Sequence, residues 1–303
     1  MTLDDAADRQ RPEAGALVLD HVAHFLPDMA QAEAALDRLG FAPTPISHQM
    51  HRAEPGGPLV SAGTANRTAM LARGYLEFLA TTGDTPNAAK LRAAMARYTG
   101  VHLVCFGTSE AAAGGSKPWA ISRAWTAAAV SLQREVALED GATMIARFTV
   151  LRAAPDRMRE GRIQFVEHLT PTAIWQRRHL DHPNGARELA GIVVAVPDPE
   201  EATDRWSRLT GLPFRSEGAL SIMDTARGRV IVGAAAAIGD VLGAAPPALP
   251  WIAGPIVGVV DLAATRALLA RSGVTVLRDD AHRLVVAAPP ALGGIYVFVP
   301  CGA

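Results

Sequence analysis

The chain has 303 residues, of which 49% are hydrophobic and 19% charged, and its formal net charge is −1. This length allows two globular domains, and the near-neutral charge argues against surfaces that bind nucleic acid or anionic membranes, because both need basic stripes. The two cysteines, Cys105 and Cys301, show no CxxC spacing. They favour buried thiols in a reducing compartment, so we expect a cytoplasmic protein.

Neither end of the chain, nor its longest uncharged stretch, predicts a membrane segment. Residues 1–16 are polar and lack an apolar h-region, so we expect a disordered N-terminal tail that is neither a signal peptide nor an anchor. The stretch Val241–Val260 carries no charge but contains four prolines. Prolines at this density interrupt a membrane helix, so the stretch is interpreted as a linker that runs into a buried strand.

The first structural unit begins at the apolar run VLDHVAHFL, which predicts a strand. Asp28 follows as a helix N-cap, and the segment MAQAEAALDRLG places apolar residues at helical spacing before Gly40 ends the helix. Short β-type runs then lead to a hairpin that turns near Gly74 and closes with GYLEFLA. The order is strand, helix and three strands, or βαβββ.

This unit recurs three more times along the chain. The later copies begin at VHLVCFGTS, with a predicted helix after Ser109, at AGIVVAVPDPEEATDRW and at PIVGVVDLAATRALLARSGV. A repeat of this length indicates duplication. We therefore predict an α+β protein of four βαβββ modules paired into two cup-shaped domains, the first at 17–185 and the second at 186–303.

Metal-type ligands occupy matched positions in the first two copies only. A histidine stands seven residues before each predicted cap, and a polar residue is the third after the glycine that leads each closing strand. These residues are His21 and Glu77 in copy one, and His102 and Gln164 in copy two. The same positions in copies three and four hold Gly191, Ile231, Gly254 and Val297. The first domain is therefore the candidate site, and the second is expected to be structural and metal-free.

Strand alternation decides whether these side chains can meet. If the last strand of each module pairs beside its first, the histidine and the carboxylate become neighbours, and two modules bring four donors to one point. The alternative is that the histidines are ordinary polar residues near strand ends. Glu77 lies between Leu76 and Phe78, and a carboxylate in a half-buried strand needs a partner.

Paired βαβββ modules with these ligand positions resemble the vicinal oxygen chelate superfamily, which includes glyoxalase I, extradiol dioxygenases and bleomycin-resistance proteins. The segments LDHVAHFLPD, GTANR, GYLEFLA, GRIQFVEHLTP and HLDHPNGA are similar to the bacterial glyoxalase-like domain family, over nearly the whole chain past residue 17. The resemblance implies metal ligands at His21, Glu77, His102 and Gln164. Two imidazoles and a carboxylate leave positions open on a divalent ion such as Fe, Mn, Ni or Zn.

The chain departs from the glyoxalase I pattern at Gln164, where a second carboxylate is usual. An amide cannot accept the proton that a carboxylate base accepts, which argues against true glyoxalase chemistry. The candidate catalytic residue is Glu77. In the dioxygenase pattern the carboxylate comes from the second module, whereas here it comes from the first.

Five further residues are candidates for binding substrate. Arg67 could hold a substrate carboxylate, because its planar guanidinium suits bidentate anion binding, but an exposed turn residue is the alternative. His168 could supplement Gln164 or simply end its strand in solvent. Tyr75 and Trp175 could line an apolar pocket or belong to the core, and Asn66 precedes Arg67 in GTANR.

The predicted function is binding of a small oxygen-chelating molecule at a single metal site by a lyase, an isomerase or a ring-cleavage dioxygenase. The alternatives are a non-catalytic binding or resistance protein that uses the same cup, and a scaffold that has lost function. The sequence has no phosphate loop, GxSxG or GxGxxG, which argues against nucleotide-dependent and triad-hydrolase chemistry. The expected partner is a small molecule, not nucleic acid or membrane, and we expect a monomer or homodimer.

Overall fold

The computed structural model describes residues 10–52, 57–111 and 123–302. Its sixteen strands form one sheet that consists of two groups of eight. The first group has the order β2-β3-β4-β1-β5-β8-β7-β6. Its strands are β1 (Val18–Leu26), β2 (Ser47–Arg52), β3 (Leu59–Met70), β4 (Tyr75–Thr81), β5 (Gly100–Gly107), β6 (Val130–Ala137), β7 (Thr143–Arg152) and β8 (Arg162–His168).

The second group repeats this arrangement in the order β10-β11-β12-β9-β13-β16-β15-β14. Its strands are β9 (Ala186–Val196), β10 (Arg215–Glu217), β11 (Leu220–Asp224), β12 (Arg229–Ala234), β13 (Trp251–Val259), β14 (Val276–Asp279), β15 (Leu284–Ala287) and β16 (Ile295–Pro300). A pairing of Ile252 with Val101 joins the two groups through β13 and β5.

Six α-helices accompany the described strands, with two short 3-10 turns at Arg123–Trp125 and Arg177–His179. The helices are α1 (Met29–Arg38), α2 (Pro86–Met95), α3 (Pro171–Ile174), α4 (Pro199–Thr210), α5 (Ala235–Leu242) and α6 (Leu262–Arg271). The predicted cap Asp28 is confirmed, because its carboxylate accepts a hydrogen bond from a backbone N–H group in the first turn of α1. Asp198 and Asp261 cap α4 and α6 in the same way. The helix predicted after Ser109 falls on residues 112–122, which lie outside the described residues.

Each module pairs its opening strand in parallel with its closing strand, as β1 with β4, β5 with β8, β9 with β12 and β13 with β16. Within each half the two opening strands then pair antiparallel, as β1 with β5 and β9 with β13. The predicted α+β fold of repeated βαβββ modules is confirmed.

The sheet of the first half has one face in the main core and one that carries the candidate site. On the core side, Leu36 of α1 packs in a cluster with Val22 and Phe78. On the other side, which we call the inner face, Leu91 of α2 packs in a separate cluster with Phe25. Helix α2 therefore covers one end of the inner face.

In the second half, apolar side chains and α5 fill the corresponding face. Ile238 and Leu242 of α5 pack with Val193, Ile256 and Val297 in one buried cluster. Each large aliphatic side chain buried in this way contributes about 1.5–3 kcal/mol. In the second half this face is therefore packed rather than lined with polar side chains at the four matched positions.

The uncharged stretch Val241–Val260 and the described part of the N-terminal stretch have ordinary places in the fold. Within Val241–Val260, α5 ends and the fully buried strand β13 begins at Trp251, which agrees with the interpretation of a linker entering a buried strand. Residues 1–9 lie outside the described residues, but Gln10 is buried and its amide bonds to Ala72 O and Gly74 N. Residues 10–16, which fall within the predicted tail, thus belong to the described part of the chain. Within the described ranges, no helix combines the length and apolar character needed to cross a lipid bilayer.

Candidate functional site

A row of paired residues crosses the inner face through four neighbouring strands. The row runs from Tyr75 on β4 to His21 on β1, Cys105 on β5 and Gln164 on β8, and each residue is directly paired with the next. Paired residues of neighbouring strands direct their side chains to the same face. The row therefore places an imidazole, a thiol and an amide side by side, and Arg152 on β7 extends it.

A fully buried carboxylate fixes the orientation of His21. Asp20 Oδ1 lies 2.6 Å from His21 Nδ1, and Asp20 Oδ2 lies 3.1 Å from Nε2 of His168. Burial raises the pKa of Asp20, but the interactions with His168 and His21 outweigh it and leave that pKa below its ordinary value. Asp20 is therefore an anion held between two imidazoles. An Nδ1–H donated by His21 to Asp20 leaves Nε2 of His21 for another partner.

Cys105 completes a group with metal-ligand character. The donor atoms of Asp20, His21 and Cys105 all lie within 4.8 Å of one another, and all three residues are buried. Burial raises the pKa of Cys105, and its interactions with His21 and Gln164 oppose that rise. Gln164 Oε1 is also buried, without a hydrogen-bond partner among the described residues. An unsatisfied buried carbonyl is costly, and a bound cation would satisfy it.

Glu77 lies on the inner face one row away from His21. It is paired with Ala23, two residues beyond His21 on β1, and its Oε1 accepts a 2.5 Å hydrogen bond from Asn66 Nδ2. Asn66 is therefore the partner that the half-buried position of the Glu77 carboxylate requires, and its amide orients that carboxylate. Glu77 is near the site but outside the Asp20, His21 and Cys105 group.

The structure does not bring His102 to His21 and Glu77, which corrects the predicted convergence of these three donors. In the row, the residue of β5 that pairs with His21 is Cys105. His102 lies three positions before Cys105, at a β-bulge where the pairing of β1 with β5 shifts, so its side chain does not join the row. Burial lowers the pKa of His102 to about 4. Its ring stacks on Tyr98, and its Nε2 lies 2.7 Å from the Tyr98 carbonyl. A neutral ring that donates to this carbonyl has a structural role.

The residues predicted to bind substrate divide between the two faces. Tyr75 stacks on His21 with ring centroids 4.3 Å apart, and Trp175 packs edge-on against Tyr75 and His168. Arg67 pairs instead with Phe78 on the core side, where its guanidinium contacts Glu33 Oε1 at 2.6 Å and the Thr44 carbonyl. Because these partners engage Arg67 on the other face, its predicted substrate role is corrected to a structural one.

Sequence reasoning missed Asp20 and Cys105. Asp20 precedes His21 at a register shift between Leu19 and His21, and regular alternation would place neighbouring residues on opposite faces. The DH pair at the strand start was the available signal. Cys105 was interpreted only as a buried thiol, and the strand register was needed to place it beside His21.

Comparisons with known proteins identify relatives of this fold. A family model described as a glyoxalase-like domain matches residues 19–210. A hypothetical protein from Staphylococcus aureus has 11% sequence identity and a TM-score of 0.57, covering 94% of this chain and 99% of that chain. A triple mutant of 4-hydroxymandelate synthase from Streptomyces coelicolor has 14% identity and a TM-score of 0.54, covering 95% of each chain.

A third solved structure, a fusion of a xylose isomerase-like TIM barrel with 4-hydroxyphenylpyruvate dioxygenase, has 12% identity and a TM-score of 0.58. The alignment covers 97% of this chain and 50% of that chain. A search of curated proteins found no match. At these identities, the solved structures establish the shared fold and leave the chemistry to be argued from the site.

Proposed function

Since the chain belongs to the glyoxalase-like domain family, we propose that it is a metal-dependent enzyme that binds a small molecule with adjacent oxygens on the inner face of its first half. The observation that carries this proposal is the row of His21, Cys105 and Gln164, in which the buried amide oxygen of Gln164 has no hydrogen-bond partner in the described part of the chain. The supporting donor group of Asp20, His21 and Cys105 is compact and buried.

The residues present fit a divalent first-row metal. His21 would bind through Nε2, Cys105 through its sulfur and Gln164 through Oε1, a mixed set that suits Zn or Fe better than the harder Mn, with Ni also possible. Asp20 would act as the carboxylate that fixes the tautomer and orientation of a metal-bound histidine. Three protein ligands leave open positions for substrate oxygens.

The ion would supply Lewis acidity that holds and polarises the two adjacent oxygens of the substrate. Glu77, oriented by Asn66, is the carboxylate placed to accept a proton from a carbon next to those oxygens. Tyr75 and Trp175, whose rings pack edge-on, would line the aromatic side of the bound substrate. A base beside a chelated substrate favours a lyase or isomerase, and the alternative of a dioxygenase draws on the structural likeness to 4-hydroxymandelate synthase.

The test is the metal content of protein purified without chelator, together with turnover of adjacent-oxygen substrates. We expect about one equivalent per chain, lost in His21→Ala and in Gln164→Ala. The matched control is His282→Ala, because His282 is an exposed histidine of the second half. Retention of the full equivalent in His21→Ala would overturn the metal assignment. If the protein binds metal but turns over no substrate, and if Glu77→Gln leaves its binding properties unchanged, the result would instead support a non-catalytic binding protein.

A further inference from the structure

Two arginines lie beside the proposed chelating row on the same inner face. Arg152 on β7 is paired with Gln164, and Arg162 precedes Gln164 by two residues on β8, so strand alternation directs both side chains to the face that carries Gln164. The guanidinium of Arg162 lies 5.7 Å from the centroid of the Phe25 ring. This cation–π contact holds the guanidinium of Arg162 against the inner face.

Among the described residues, neither guanidinium has a charged or hydrogen-bonding partner. Within residues 10–52, 57–111 and 123–302, neither Arg152 nor Arg162 forms a side-chain hydrogen bond or an ion pair. Other half-buried arginines of this chain are matched, as Arg67 is with Glu33 and Arg205 with Glu160. Two neighbouring unpaired cations on a half-buried surface are unfavourable for folding and favourable for binding an anion.

The described charged groups around Arg152 and Arg162 leave their positive charge unneutralised. Burial and the charge of Arg152 lower the pKa of Arg162, and the charge of Glu77 opposes them only in part. Glu77 is the carboxylate of this face that acts on Arg162, but no ion pair joins them, and its Oε1 is bound by Asn66. Asp20, the other carboxylate of the site, is bound to His21 and His168. The positive charge is therefore available to a ligand.

We infer that Arg152 and Arg162 bind a carboxylate group of the substrate, next to the adjacent oxygens that the proposed metal would hold. The inference rests on the proposed function for the position of those oxygens, and it narrows the substrate class to small carboxylic acids whose carboxylate is separate from the two chelating oxygens. A planar guanidinium matches a carboxylate with two parallel hydrogen bonds, which gives selectivity for this group over a neutral one.

The experiment compares 3,4-dihydroxybenzoate with its methyl ester, which keeps the two adjacent hydroxyl oxygens but lacks the carboxylate charge. Calorimetry on the metal-loaded protein should show that the acid binds at least about tenfold more tightly than the ester, the effect of one strong charge-assisted contact. In Arg152→Met/Arg162→Met, acid and ester should bind alike. Arg147→Met is the matched control, because Arg147 is an exposed residue of the same strand at odd spacing from Arg152, and it should retain the preference.

Metal content measured on the same samples separates the two proposals. If the double variant keeps its metal and still prefers the acid, the arginine site is wrong while the metal site stands. If wild-type protein holds no metal, the proposed function fails, and an acid preference that depends on the two arginines would still support the anion site. Failure of wild-type protein to bind the acid at millimolar concentration would overturn the inference. Tighter binding of inorganic phosphate than of the acid would overturn the choice of carboxylate.

Discussion

Asp20 is the residue on which the geometry of the site depends. A fully buried carboxylate is tolerated only when it is paired and hydrogen-bonded, and Asp20 has both His21 and His168 as partners. The same two contacts fix the direction of the His21 ring. Stability and metal-binding geometry are therefore linked at one side chain.

We predict that Asp20→Asn weakens metal binding by about 10–100-fold, the usual effect of losing a carboxylate that orients a metal-bound histidine. It should also lower the melting temperature, because two buried imidazoles lose their charged partner. Competition with a chromogenic chelator measures the affinity. Asp28→Asn is the control, since Asp28 is an exposed helix cap and asparagine caps equally well. Equal affinities for the two variants would contradict the role of Asp20.

Module matching predicted some site residues and misplaced another for a physical reason. His21, Glu77 and Gln164 were found because equivalent strands carry them at equivalent points, and the structure places all three on the inner face. His102 was grouped with His21 by the same argument. Antiparallel pairing of β1 with β5 sets His21 opposite Cys105, so two positions related by module symmetry differ in strand phase. Register of this kind cannot be read from one chain.

At the level of elements, the glycine that leads each closing strand sets how closely that strand approaches its neighbour. A Cβ on Gly161 would lie 2.4 Å from the carbonyl oxygen of His102, and a Cβ on Gly74 would lie 2.6 Å from that of Asp20. Gly74 also has a φ of +77°, which glycine adopts readily. These glycines allow β4 and β8 to begin beside the strands that carry the site.

We predict that Gly161→Ala lowers the free energy of unfolding by about 1–3 kcal/mol, the range for overpacking, because the backbone of β5 must shift. Urea denaturation measures the change. Gly239→Ala is the control: Gly239 lies in α5, where an added methyl would have its closest contact at 3.5 Å. Alanine raises helix propensity there by up to about 1 kcal/mol. A Gly161→Ala protein as stable as wild type would refute the close-approach argument.

At the scale of the whole molecule, a buried ion pair joins the two halves. Arg205 of α4, in the second half, makes two hydrogen bonds to the fully buried carboxylate of Glu160, which precedes β8 in the first half, at 2.6 and 2.8 Å. Burial lowers the pKa of Arg205, but Glu160 and Glu201 outweigh it and raise that pKa above its ordinary value. His24 and Tyr296 make a second polar contact between the halves, at 3.0 Å.

We predict that Glu160→Gln destabilises the protein by up to about 3–5 kcal/mol, because the largely buried guanidinium of Arg205 loses its buried counter-charge and keeps only the more exposed Glu201. Asp204→Asn is the control on the same helix, since the Asp204–Arg208 pair is exposed and such pairs contribute about 0–1 kcal/mol. Urea unfolding followed by tryptophan fluorescence compares them. Similar urea midpoints of unfolding for the two variants would show that the contact of Glu160 with Arg205 does not stabilise the protein.

The sequence was sufficient for the architecture of the chain but not for the details of its site. Four copies of one unit predicted the α+β modules, and the family match over residues 19–210 confirms the resemblance. The partners of Glu160 and Asp20 depend on contacts between distant segments, such as Asp20 with His168. Side-chain spacing within one strand carries no information on those contacts.

The most direct test of the central claim is anomalous X-ray scattering at the metal edge, from crystals of protein purified without chelator. We predict one peak per chain on the inner face, about 2.0–2.3 Å from His21 Nε2, Cys105 Sγ and Gln164 Oε1, which are ordinary bond lengths for nitrogen, sulfur and oxygen ligands. A peak bound to His102, a peak in the second half, or a fully ordered site with no metal would contradict the account.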